Sequence, residues 1–535
     1  MPTRRLPLFW IALSVSVALV ATTRGRGHAQ SASPFDVMFG VALPAVDVGV
    51  VRGRSRLTGT TEALRRGTQR GPGADDLLAG DGSRVVRGRV VVKFREGMST
   101  AARASAASGA SRTGALAERV SDANFDIVRI DSGEDPQSVA RALSQRPDVE
   151  YAQPVHRVYP QLVPNDALYR ELQWNLPLID MERAWDIQPQ AGSSITVAVI
   201  DTGVAYVSAT ITATLPERRV DGTLYPALGP VTIPYSAAQQ LGPSSRFVAP
   251  RDFICGTTMP SLGPLDFDGH GTHVSGTIGQ LTNDNAGTAG VAFNVRIMPI
   301  KVLASFWDVV LGCAPETGGS DDDVARAIRY AADNGAKIIN LSLGSPGFTG
   351  SAPVMEDAIK YAVGKGVFVA MAAGNDFENG NPTEEPAEIA QRVKGAVSVA
   401  AVDSAKQHSS FSSSGSWVEL AAPGGSETDL SDKGAIWQQT FDFSRTDTFD
   451  PAYGPYRAPR FDVLGYIGYV GTSQAAPHVA GVAAMLMQQG ITDPAAIEDA
   501  LEKSATHLGA SGRNPLYGFG LIHARNALFG LGIAR

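Results

Sequence analysis

"ITVAVI", Ile195–Ile200, is a near-continuous apolar run that breaks off at a charged residue, Asp201, and a Thr-Gly turn. A run with no polar alternation reads as a strand buried on both faces. The same character returns in "VRIMPIKVL" (295–303), "AKIINLSL" (336–343), "GVFVAMAA" (366–373) and "AVSVAAV" (396–402). Between them lie helical patterns such as "DDVARAIRYAADNG" and "APVMEDAIKYAVGKG", each closed by glycine. Strands alternating with helices predict an α/β domain with a mainly parallel sheet. In such sheets chemistry gathers at the carboxyl ends of the strands, which is where Asp201 stands.

The chain has 535 residues, 44% of them hydrophobic and 19% charged, so it can hold a large core and more than one domain. A net charge of −7 argues against a general nucleic-acid binder, and no nucleic-acid partner is expected. The N-terminus sets Arg4 and Arg5 before an apolar run, Leu6–Val20, and a Gly27-x-Ala29 pattern, which reads as a signal peptide over residues 1–29. A secreted or periplasmic protein with no later membrane span follows from that reading. Cys255 and Cys313 are the two cysteines, and an exported protein is compatible with a disulfide between them or with two buried thiols.

Residues 30–86 have linker composition. Residues 87–160 then read as a small α+β module. "GRVVVKF" and "FDIVRI" are strands, "DPQSVARALSQRP" is an amphipathic helix, and "VEYAQPVHRVYP" is a last extended piece. The α/β domain occupies 161–535.

Two further residues share Asp201's setting at an element end. His270 lies in "DGHGTHVSGTIG", ahead of a helical pattern, and Ser473 opens "GTSQAAPHVAGVAAMLMQQ", Gly471–Gln489. Ser473 alone is as well explained as a helix cap. With a histidine to take its proton and an aspartate to hold that histidine, it becomes a nucleophile.

In the contexts "DTG", "HGTH" and "GTSxAAPHVAG", these residues resemble the triad of subtilisin-type serine endopeptidases, most nearly the thermitase branch. The resemblance implies a three-layer subtilisin-like fold. It implies Asp201, His270 and Ser473 as catalytic, with His273 structural. "AAGN" implies Asn375 as oxyanion donor. Ser342, Leu343 and Gly344, with Ala372, Ala373 and Gly374, would line the substrate, and their small size implies room for a bulky apolar side chain. Module 87–160 resembles the family's ferredoxin-like inhibitory propeptide, with autocleavage expected between Tyr159 and Asn165. Structural Ca²⁺ is implied at Asp166, Asp252 and Asp284, with no catalytic metal, since carboxylates and carbonyls suit a hard ion. The implied activity is a self-cleaving, secreted, monomeric endopeptidase of broad specificity with an apolar preference, acting on proteins and peptides. Alternatives are a processing protease selective for basic sites, which needs acidic pocket walls, or a peptide-binding relative without catalysis. Two long insertions, about 206–266 and 425–469, depart from the compact pattern. The second has loop character and no clear periodicity.

Overall fold

The computed structural model describes residues 76–78, 84–116, 123–156, 162–220, 222–255, 263–347, 353–429, 431–445 and 457–529. The expected signal peptide and nearly all of the expected linker lie outside them.

A seven-stranded, wholly parallel sheet forms the centre of the larger domain. Its order is Arg251–Asp252, Arg296–Lys301, Thr196–Asp201, Ile338–Leu341, Phe368–Ala372, Ala396–Val402 and Leu420–Pro423. Every residue of Thr196–Asp201 is buried. Alternate side chains feed two cores. Val197 and Val199 join the core holding helices His270–Gly279 and Thr472–Gln488, while Ala198 and Ile200 join the core under helices Asp321–Asp333 and Pro353–Gly364. That is why these strands carry no polar alternation.

The strand Thr196–Asp201 sits between two parallel partners that arrive later in the chain, Arg296–Lys301 and Ile338–Leu341. The connections therefore diverge at Asp201, which opens a crevice at the carboxyl edge. The two helices on the first face both begin beside this edge and pack against one another.

The N-terminal module runs strand–helix–strand–strand–helix–strand, with Arg84–Phe94 central and antiparallel to Asp126–Arg129 and Val149–His156. Its own core includes Val90, Val92, Val128, Val139 and Leu143. The sheet starts earlier than the boundary at residue 87, because Asp76–Leu78 pairs with Arg84–Val86. Backbone pairing of this kind needs no apolar periodicity, so the stretch reads as linker from sequence.

Both insertions carry strands, and the second thereby differs from its loop reading. The first contains an antiparallel pair, Ala209–Leu215 with Leu228–Tyr235, and the second another, Ile436–Phe441 with Leu464–Tyr469. They meet each other: Ser236 N–H donates to Phe461 O and Phe461 N–H to Pro234 O, both at 2.9 Å. Phe461 is fully buried among Tyr235, Phe267, Phe441, Phe443 and Trp307, with ring centroids 4.9–6.2 Å away. Cys255 and Cys313 are bonded, with Cα atoms 4.7 Å apart.

Candidate active site

Asp201 ends the central strand and is completely buried. Its Oδ1 lies 2.7 Å from His270 Nδ1 and also accepts the Thr202 N–H at 2.7 Å. The histidine helix comes this close because residue 271 is glycine. A Cβ there would stand 2.1 Å from Gly203 O and 3.1 Å from the Asp201 carboxylate. Burial disfavours the imidazolium, but the Asp201 charge and hydrogen bond, with Asp268 and Asp266 behind them, outweigh it and lift His270 from 6.5 to about 9.

Asp266, which motif reading passed over, fixes this geometry. One carboxylate oxygen accepts from Thr202 Oγ1 and from the N–H groups of Asp268 and Gly269. The other accepts from the N–H and hydroxyl of Thr272. Strand end and helix start are thus tied through one buried group. Lys301, beside Asp201 in the sheet, adds a second tie. Its buried ammonium donates to Thr202 O and Leu265 O at 2.8 and 3.1 Å and pairs with Asp308 at 2.8 Å.

His273 faces away from this chemistry. Its Nε2 lies 2.9 Å from Ile436 O and 3.1 Å from Ile467 O, and its ring stacks on Tyr469. Burial and the nearby His270 hold it down to about 3, so it stays neutral. The second insertion therefore braces the histidine helix, and Thr440 adds a hydroxyl bond of 2.6 Å to Gly269 O.

Ser473 is the second residue of its helix. The imino acid Pro477 has no N–H for the carbonyl four residues back, which is that of Ser473. Ser342 fills the gap: its hydroxyl donates to Ser473 O at 2.7 Å. The Ser473 hydroxyl in turn donates to Ser342 O at 3.2 Å. Asn375 is anchored from the other side, its Oδ1 accepting both the N–H and the hydroxyl of Thr472 at 2.9 Å. Its amide NH₂ is the end left for a ligand. Gly374 N–H donates to Thr472 Oγ1 at 3.2 Å. Ser342–Gly344 follows strand Ile338–Leu341 and Ala372–Gly374 closes the neighbouring strand Phe368–Ala372, so the two segments lie side by side at the carboxyl edge, Ser342 bonded to Ser473 and Gly374 to Thr472.

Sequence reasoning also missed what lies between those segments. Glu384 is only 2% exposed. A Cβ on Gly374 would meet its Cγ at 2.2 Å, and one on Gly344 would lie 3.4 Å from its Oε2. The two segments expected to frame a pocket of small residues thus have a buried carboxyl group between them. Glu384 lies ten residues beyond Gly374 in a segment without periodicity, and only the fold brings it back.

Of the three aspartates expected to bind calcium, the structure joins two. Asp166 is buried with Oδ1 unpartnered, while its Oδ2 accepts the Asn283 N–H at 2.7 Å. Burial, with the Asp284 charge nearby, raises it to about 6. Gln240 reaches Asp284 at 3.3 Å through its amide nitrogen and keeps a buried, unpartnered Oε1. Orphaned oxygens beside a second carboxylate fit a hard divalent cation. Asp252 belongs elsewhere: it caps the Ile254 and Cys255 N–H groups, with Lys301 and Asp308 as its charged neighbours. Gln240, rather than Asp252, is the side chain that stands beside Asp284.

Residues 192–520 match the subtilase family, and residues 77–154 match the fervidolysin N-terminal prodomain. The thermophilic serine proteinase of Bacillus sp. (strain AK1) is 31% identical over 444 residues, 83% of this chain and 88% of that protein. Thermitase of Thermoactinomyces vulgaris is 31% identical over 350 residues, 65% of this chain and 94% of the relative. An extracellular protease of Xanthomonas campestris pv. campestris is 31% identical over 432 residues, 76% of this chain and 65% of that protein. The chain belongs to the subtilase family of serine endopeptidases, and it carries a prodomain of the fervidolysin type.

Proposed function

We propose that Asp201, His270 and Ser473 form the catalytic triad of a secreted endopeptidase that is made as a self-cleaving proenzyme. The observation that carries this reading is the 2.7 Å Asp201–His270 contact at the sheet's crevice, with Ser473 heading the helix packed beside it. In the reaction the Ser473 hydroxyl leaves the Ser342 carbonyl, gives its proton to His270 and attacks the scissile carbonyl carbon. The negative oxygen that forms is held by the Asn375 NH₂ and the Ser473 N–H, one of the donors that a helix start leaves unpaired. His270 then protonates the leaving amine. Water repeats the cycle on the acyl-enzyme, which returns Ser473 and releases the acid.

Residues 1–29 are the export signal and 87–160 belong to the inhibitory propeptide. Secretion is supported by the printed name of the Xanthomonas relative. No helix among the described residues is long and apolar enough to cross a membrane. Leu162 and Asn165 already bond to Asp186 and Asn283 of the peptidase domain, which supports a cut just ahead of Leu162. Asp166 and Asp284 with Gln240 would hold a structural calcium ion, which would neutralise the two carboxylates where the segment at 165–166 meets the loop at 283–287.

Replacing Asn375 by Ala tests the oxyanion assignment. The expected result is a fall in kcat on the order of 10²–10³, the size known for one such donor in this family, with KM little changed. An unchanged kcat would remove Asn375 from the mechanism.

A further inference from the structure

The carboxyl group of Glu384 lies between the two segments that frame the substrate side chain. On one side Gly374 gives it room, since any Cβ there would sit 2.2–2.5 Å from its Cγ, Cδ and Oε1. On the other, a Cβ on Gly344 would stand 3.4 Å from its Oε2. The short ladder Ser345–Pro346 with Glu384–Glu385 holds it there. Its polar neighbours are Ser413, whose hydroxyl is 3.4 Å from Oε1, and Asp376, another acid. Neither is a cation.

A carboxylate taken out of water needs an opposite charge to repay its desolvation. Here the chain's own neighbours supply a second acid instead, and burial together with Asp376 pushes Glu384 up to about 8. The pocket is the direction from which a cation can arrive. A leucine or phenylalanine side chain entering it would bring the carboxyl no charge partner, which offsets part of the apolar area gained. A lysine or arginine side chain entering between the two segments would bring both an apolar methylene stem and the charge that the carboxyl can pair.

We infer that Glu384 is a specificity-determining residue, and that this endopeptidase cuts after lysine or arginine rather than after large apolar residues. The inference rests on the triad reading above, because the pocket matters only if Ser473 is where the bond is cut. It replaces the apolar preference with the selectivity for basic sites that the sequence left as an alternative.

The test takes enzyme matured from the full chain and treats it first with a fluorophosphonate, which labels an activated serine whatever the pocket prefers. It is then given a set of otherwise identical peptides with Lys, Arg, Gln, Leu or Phe before the scissile bond. The expected result is labelling of Ser473 and kcat/KM for Lys and Arg at least tenfold above Leu and Phe. In Glu384→Gln, which keeps the shape, kcat/KM for Lys and Arg should drop about 100-fold while Leu and Phe hold or rise. Labelled enzyme that prefers Leu, Phe or Gln, or a Glu384→Gln variant with unchanged ratios, overturns the inference and leaves the triad standing. No labelling of Ser473 overturns the triad reading, and this one falls with it.

Discussion

Asp201 sets how strong a base His270 is. The buried carboxylate stabilises the imidazolium and carries the histidine to about 9, so below that pH the ring is increasingly protonated and cannot accept the Ser473 proton. For a substrate without ionisable groups, kcat/KM should therefore fall as pH drops, with an acid limb well above the ordinary 6.5. Asp201→Asn removes the charge and should move that limb down while lowering the maximum, on the order of 10⁴-fold by analogy with other triads. A stopped pH–rate series on both proteins checks this, and a limb in the same place would show that Asp201 does not tune the base. Glu384 adds a separate dependence. Its carboxyl ionises near 8, so the ratio of kcat/KM for a lysine substrate over a leucine substrate should rise with pH across that range. Taking the ratio cancels the His270 limb common to both. Asp201, His270 and Ser473 could be singled out because each stands in a short motif at an element end. Glu384, Asp266 and Gln240 could not, since Gly344, Thr202 and Asp284, which stand beside them in the fold, are far off in sequence.

The elements that hold the site are partly the insertions themselves. Tyr235 from the first exchanges hydrogen bonds with the Asp266 backbone, its hydroxyl donating to Asp266 O at 2.8 Å and accepting the Asp266 N–H at 3.0 Å. The hairpin of the second accepts the His273 bonds. Phe461 seals the two together, and Phe461→Ala should cost about 3–5 kcal/mol by the cavity it leaves. Urea unfolding measures that loss, and a change under 1 kcal/mol would mean that the insertions are not part of the cooperative unit. The strands of the central sheet were readable because burial on both faces leaves one unbroken apolar run. The insertion strands were not. Ile436–Phe441 mixes glutamine and threonine with aromatics, and Gln438 and Thr440 are buried through hydrogen bonds rather than by apolarity. A pattern of hydrophobicity is blind to that kind of burial.

At the scale of the whole molecule, the proposed calcium site and the proposed cut meet at one loop. Asn165 and Asp166 both bond to Asn283, and Asn285 N–H donates to Asn165 at 2.9 Å, so the segment behind the expected cut is gripped by the loop that also carries Asp284. Calcium at one hundred times its dissociation constant would add about 2.7 kcal/mol of stability. Chelation should lower the melting temperature of the native protein, and Asp166→Asn should abolish most of the difference between calcium and chelator. An equal calcium response in that variant would place the ion elsewhere. The strand Asp76–Leu78 was not legible within the expected linker, because its pairing with Arg84–Val86 is made by backbone bonds.

The central claim is that Ser473 is the nucleophile of a chain that matures itself. The direct measurement is intact mass over time, with calcium present, for the full chain without residues 1–29, as native protein and as Ser473→Ala. The native chain should lose the segment before Leu162 while the variant remains whole. If Ser473→Ala, purified in the same way, sheds that segment at the native rate, Ser473 is not the residue that cuts.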